Sequence, residues 1–125
     1  MKEQILSKLA PGHPWGGLLQ YYPCLESTNT LAKTLALQGA PHGTVIIAGS
    51  QTGGRGRMGR SFHSPEGTGL YFTAILRPDC EAQDLMHLTC VIAVAAADAV
   101  EAVCGFRPGI KWINDLVLNG KKVAG

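Results

Sequence analysis

The chain has 125 residues, 46% of them hydrophobic and 16% charged, and a formal net charge of +2. That mixture excludes a disordered chain, which combines low hydrophobicity with high charge, and so small a charge does not by itself argue for a nucleic-acid partner. Glycine occupies 16 positions, about twice the usual share of about 7%, with no period of three, which excludes collagen. The longest uncharged apolar run, Leu85 to Ala97, is interrupted by His87 and Thr89 and falls short of the ~18–20 residues that span a bilayer. No basic segment followed by an apolar one opens the chain, so a soluble cytoplasmic protein without a signal peptide is expected. Cys24, Cys80, Cys90 and Cys104 form no C-x-x-C pair and are expected to be small buried hydrophobes in a reducing compartment. His13, His42, His63 and His87 are scattered, and no metal site is expected from them.

In chain order, residues 2–9 place Ile5, Leu6 and Leu9 on one helical face, a short helix ended by Pro11. The segment to Gly17 reads as loop and Leu18 to Tyr22 as a strand. Ser27 reads as the N-cap of a helix over TNTLAKTLALQ, which Gly39 and Pro41 end. The β-branched run TVIIA, residues 44–48, suits a buried strand. The loop from Gln51 to Gly67 is expected to be irregular and mobile. Leu70 to Leu76 reads as a strand, and Asp84 to Cys104 as a long helix stopped by Gly105. That helix is apolar nearly all round, so it is expected to be largely buried. Residues 109–113 and 115–118 read as strands, and Asn119-Gly120 signals a hairpin into KKVAG. The sum is a mixed α/β, or α+β, arrangement.

Charge and glycine are concentrated in one place. No acidic residue lies between Ser27 and Pro65, while Lys33, Arg55, Arg57 and Arg60 do, and nine of the glycines fall between Gly39 and Gly69. In GGRGRMGR, residues 53–60, glycine lets backbone N–H groups approach an anion and arginine supplies forks that match phosphate and carboxylate. The pattern is not a phosphate loop of the Gly-Lys-Ser/Thr kind, and its G-x-G-x-x-G spacing does not open a helix directly. Taken alone, a solvated or RNA-contacting loop is as good a reading as a ligand-binding one. A second constellation is KWINDLVLNGKKVAG, in which Lys111, Asn114 and Asp115 flank a strand and the hairpin returns Lys121 and Lys122 nearby. Such groups can serve magnesium, a hydroxyl or a transferring phosphate, or simply form an exposed hairpin. The third is Ser27-Thr28-Asn29, a helix cap or a set of donors for a polar ligand.

The order and content of ESTNTLAK, QTGGRGRMGRSFHSP, GLYFTAILRP and KWINDLVLNGKKVAG resemble the biotin–protein ligases (biotin–acetyl-CoA-carboxylase ligases) over residues 18–125. The resemblance implies the biotin–lipoate ligase catalytic fold, which is class II aminoacyl-tRNA-synthetase-like. It implies an ATP- and Mg²⁺-dependent enzyme that forms biotinyl-5′-AMP and passes biotin to a lysine of a biotin carboxyl carrier protein. Ser27, Thr28, Gln51, Gly54, Arg55, Arg57 and Lys122 then match biotin-contacting positions. Arg57, Arg60, Phe62, Lys111, Asn114 and Asp115 match the nucleotide side, and Arg57 and Lys122 the catalytic pair. The resemblance also implies that residues 1–17 are an extension and 18–125 the N-terminal part of a truncated catalytic domain. No helix-turn-helix precedes residue 18, so a monofunctional ligase without DNA binding or membrane association is expected. An unfinished sheet would pair with a second copy of the chain. A lipoate ligase relative, and more remotely an RG-loop nucleic-acid module, are the competing readings. Ile113 stands where the family usually has proline, Met58 where a further arginine is frequent, and Phe62 where a tryptophan is frequent.

Overall fold

The β-branched stretch after residue 43 forms the middle of the first sheet. In a computed structural model that describes all residues 1–125, strand β2, Thr44–Gln51, lies between β1, Leu19–Leu25, and β3, Tyr71–Ile75. β1 runs parallel to β2, with Leu19 beside Val45 and Leu25 beside Gln51, and β3 runs antiparallel, with Thr44 beside Ile75. Residues 44–48 are all buried, as the unbroken apolar run requires of a strand covered on both faces. On one face Ile46 packs with Ala32 and Ile75, beneath helix α2, Thr28–Leu37. On the other, Leu19, Val45 and Ile47 are covered by Trp15 and by Ile5 and Leu6 of helix α1, Lys2–Leu6. Helix α1 is shorter than the sequence implies, and Pro14–Gly17, read as loop, is a 3₁₀ turn. Arg77 closes the other end of α2: its Nη2 donates to the carbonyls of Ala36 and Ala40 at 2.8 Å each. A cation there complements both the unpaired carbonyls and the helix dipole.

These elements make one unit, Met1–Pro78; a second comprises Asp79–Gly125. In the second, helix α3, Leu85–Cys104, ends at Gly105, whose φ of 76° is the left-handed conformation that accepts glycine without penalty. Arg107 ties back to its last turns, with Nη1 2.6 Å from Asp98 Oδ1 and 2.8 Å from Glu101 Oε2. The hydrogen bond to Glu101, then that to Asp98, holds the Arg107 guanidinium above its ordinary pKa. Strands β4, Gly109–Lys111, β5, Asp115–Leu118, and β6, Lys121–Ala124, form an antiparallel sheet in that order. Asn119 and Gly120, at φ 50° and 74°, make the primed turn expected of an Asn-Gly hairpin.

Three expectations need correction. Helix α3 is not largely buried: only Ala93 and Ala97 are, while Val91, Ile92 and Val94 are exposed. Within residues 79–125 its neighbours are the 3₁₀ turn Ala82–Asp84 and the short strands β4 and β5. The stretch Ala82–Cys104 is also long and apolar enough, by length and composition, to cross a membrane, because single residues such as His87 and Thr89 do not offset the average. Core helices of soluble proteins share that composition. Finally, the cysteines are not core residues. Cys24, Cys80 and Cys104 are exposed and Cys90 half-buried, since they fall on a strand tail, a loop, a helix end and a half-exposed helix flank.

Candidate functional site

The parallel pairing of β1 with β2 delivers both strands to the same end of the sheet, and there the helix after β1 begins. Ser27 caps it as expected, its Oγ accepting from the Thr30 N–H at 3.4 Å. A second cap comes from across the sheet. Gln51, the last residue of β2, accepts from the Thr28 N–H at 2.8 Å and from the Thr28 hydroxyl at 3.1 Å, both through Oε1. An otherwise unpaired first-turn donor is thereby satisfied by a residue 23 positions away. Thr73 on β3 joins from the third strand, its hydroxyl 2.9 Å from Thr28 Oγ1 and 2.7 Å from Asn29 Oδ1. Its one proton serves one acceptor at a time.

The arginine–glycine segment starts from this point and returns to it. The Gln51 N–H donates to the Ser64 carbonyl at 2.9 Å, and the Phe62 N–H to the Gly54 carbonyl at 2.7 Å. Isolated bridges pair Gln51 with Ser64 and Arg55 with Ser61. The expected irregular loop is therefore a tongue with a hairpin stem. Its tip is a 3₁₀ turn, Arg57–Gly59, in which Met58 and Gly59 take positive φ. Gly54 sits in the stem because a Cβ there would collide with the Phe62 carbonyl and approach Ser64 Oγ to 2.6 Å. Ser64 is almost fully buried and receives the Gln51 Nε2–H at 3.0 Å. A cleft of about 180 Å³ opens along the stem, lined by residues 51–54 and 61–64.

The predicted residues Ser27, Thr28, Gln51, Gly54 and Phe62 are thus gathered at the tongue's base. Arg55 is there as well, its Nη2 3.5 Å from Glu26 Oε1 on the surface. Arg57 and Arg60 are exposed at the tip and make no ion pair. In the second unit, Lys111 and Asp115 are register partners across β4 and β5, and Asn114 lies in the turn that joins them. Lys122 Nζ donates to Asp115 Oδ1 at 2.9 Å, as the hairpin reading anticipates, and both side chains are half-exposed. Sequence reasoning missed Ser64, Thr73 and Glu26. A buried serine or threonine has no distinguishing local pattern, and only the fold shows that these three meet Gln51, Thr28 and Arg55.

A three-stranded mixed sheet, a capped helix and an arginine–glycine tongue thus meet at one sheet end. A profile of the Biotin/lipoate A/B protein ligase family matches residues 21–125. The chain belongs to that family. It is 46% identical over 110 residues to the bifunctional ligase/repressor BirA of Bacillus spizizenii, covering 88% of this chain and 34% of that protein. It is 42% identical over 102 residues to the biotin–[acetyl-CoA-carboxylase] ligase of Paracoccus denitrificans, covering 80% of this chain and 42% of that one. The biotin protein ligase of Aquifex aeolicus, solved in complex with biotin and ATP, superposes with a TM-score of 0.71 at 35% identity. That match covers 83% of this chain and 43% of the Aquifex chain. The chain thus spans between a third and a half of the length of these relatives. The mixed α+β architecture expected from the sequence is the one the matched ligase structures have.

Proposed function

We propose that the chain carries a substantial part of the active site of an ATP-dependent biotin–protein ligase. The observation that carries this reading is the tongue of residues 51–64, rich in arginine and glycine and pinned through Gln51 to the capped start of α2. Relatives named as biotin–[acetyl-CoA-carboxylase] ligases, and the Aquifex structure with biotin and ATP, support it.

In the proposed reaction the biotin carboxylate attacks the α-phosphate of ATP and pyrophosphate leaves. The amine of a carrier-protein lysine then attacks the acyl carbon, and AMP leaves. Two anions must meet in the first step, so a concentration of positive charge is required. By the family resemblance, the guanidinium groups of Arg57 and Arg60 and the Lys122 ammonium would supply it. Ser27, Thr28, Gln51, Gly54 and Arg55 would hold the biotin side. Phe62, Lys111, Asn114 and Asp115 would hold the nucleotide side. A mixed anhydride hydrolyses readily, so folding the tongue over it would also exclude water.

Magnesium fits this site in one way. Asp115 already engages Lys122, and the chain gathers no group of three His, Cys, Asp or Glu side chains. The ion would enter with the nucleotide, with Asp115 as its protein ligand, as is common for Mg²⁺ bound to phosphates. The monofunctional, cytoplasmic character and the absence of DNA binding belong to the same proposal. The charge pattern supports only the last of these, and only for residues 1–125, since outside the tongue acids and bases are nearly equal in number; the relative from Bacillus spizizenii is a bifunctional ligase/repressor.

The test is incubation with biotin, MgATP and a carrier domain. Formation of biotinyl-AMP and a biotinylated carrier is expected. Absence of both, with no biotin binding by calorimetry, would reject the assignment. Lipoate is the competitor to include, because the family name covers both acids. A thermal shift with lipoate but not biotin would favour that relative instead.

A further inference from the structure

We infer that Glu26 is a positioning residue: its carboxylate holds the Arg55 guanidinium at the root of the tongue, and so sets the stem from which Arg57 and Arg60 reach the ligand. This rests on the biotin reading above. The carboxylate has no rival in the neighbouring sequence. No acid lies between Ser27 and Pro65, and the contact of Arg55 Nη2 with Glu26 Oε1, at 3.5 Å, is the one ion pair that a tongue arginine makes.

Backbone bonds bring Glu26 to that place. The Thr52 N–H donates to the Leu25 carbonyl at 2.9 Å, and the Gly53 N–H to the Glu26 carbonyl at 2.7 Å. These two bonds carry the contact between the chain segments past the ends of β1 and β2. From there the Glu26 side chain lies against Gly53, where a Cβ would come within 2.9 Å of Glu26 Cγ. Glycine leaves that path open, and the path ends on Arg55, two residues further along. Arg55 stands opposite Ser61 in the stem. On one side of this pair the Phe62 N–H donates to the Gly54 carbonyl, and on the other the Gly56 N–H donates to the Arg60 carbonyl, both at 2.7 Å. Arg57 follows Arg55 by two residues and Arg60 directly precedes Ser61, so both hang from the pair that Glu26 holds. Glu26 also offsets the Arg55 charge, which leaves a ligand anion to the two unpaired guanidinium groups. Arg55 then serves the biotin side as a strut, and Glu26 touches no substrate. The side chains of Arg55 and Glu26 are 70% and 62% exposed, so solvent screens the pair and its effect is modest.

The experiment uses the whole chain, with biotin binding followed by calorimetry. Glu26→Gln should weaken it by about threefold to fivefold, the range a screened surface pair permits, and Arg55→Met by the same factor. The double variant should bind no more weakly than either single one, because the two side chains act as a unit. Exchanging the charges, Glu26→Arg with Arg55→Glu, should restore most of the affinity. Glu26→Asp, one methylene shorter, should not. In about 1 M salt, where screening acts within about 3 Å, the wild type and Glu26→Gln should bind alike. Additive losses, or a far larger loss in Arg55→Met, would make Arg55 a ligand in its own right and overturn the inference. Tighter binding in Glu26→Gln would overturn it as well, by making Glu26 a competitor of the ligand anion. Trypsin mapping needs no ligand. Cleavage after Arg57 and Arg60 should dominate in the wild type, and Glu26→Gln should add cleavage after Arg55; an unchanged map refutes the tie. If the wild type fails to bind biotin, the biotin reading falls, and the trypsin map still decides whether Glu26 holds Arg55.

Discussion

Single atoms decide the behaviour of the tongue. Gly54 has no room for a side chain, since a Cβ would press on the Phe62 carbonyl and on Ser64 Oγ. Gly54→Ala is expected to cost about 1–3 kcal/mol of stability, the usual penalty for overpacking, and to lower biotin affinity together with it. Denaturant unfolding and calorimetry on the same protein check both. Lys122 predicts the opposite pattern. Its ion pair with Asp115 is half-exposed, and such pairs are worth about 1 kcal/mol or less after solvent screening. Lys122→Met should therefore barely move the unfolding midpoint and should abolish adenylate formation, which a pyrophosphate-release assay measures. The sequence made both residues visible, Gly54 through the Gly-Arg alternation and Lys122 through the hairpin. Ser64 was invisible in it, because its importance comes from Gln51, 13 positions away, and from its burial.

At the level of elements, local chemistry told most. Ser27 as a cap, Gly105 as a stop and Asn119-Gly120 as a turn are each fixed by neighbours in the chain, and each appears where the pattern puts it. Ser27→Ala should cost about 1 kcal/mol, the typical worth of an N-cap, and thermal unfolding followed by circular dichroism tests that. The start of α2 would keep Gln51 as its second cap, so the loss should not unravel the helix. What the pattern did not reveal is pairing across distance. The parallel register of β1 and β2 and the bridges that close the tongue depend on residues far apart in sequence. No local rule for loops distinguishes a bridged stem from an open one.

For the whole chain, burial departs most from expectation. Composition marks α3 as a core helix, and burial depends on what packs against it. Val91, Ile92, Val94 and Val103 lie exposed on it. Exposed apolar side chains in such number on one helix favour association. The isolated chain is expected to bind a hydrophobic dye such as anilinonaphthalene sulfonate and to gain mass with concentration in analytical ultracentrifugation. Val91→Lys with Val94→Glu should reduce both effects without lowering the unfolding midpoint, because neither side chain is buried. A monomer that does not bind the dye would refute this.

The tip of the tongue carries a thioether. Met58 is 95% exposed, while Met1 and Met86 are exposed at 63% and 60% on other segments. Thioethers in open solvent are the side chains that mild peroxide converts to sulfoxides. The protein thus contains its own chemical clock for the tongue and two reference clocks elsewhere. If the tongue folds over biotinyl-AMP, peptide mass mapping should find Met58 oxidation slowed by the bound adenylate, with the rates at Met1 and Met86 unchanged.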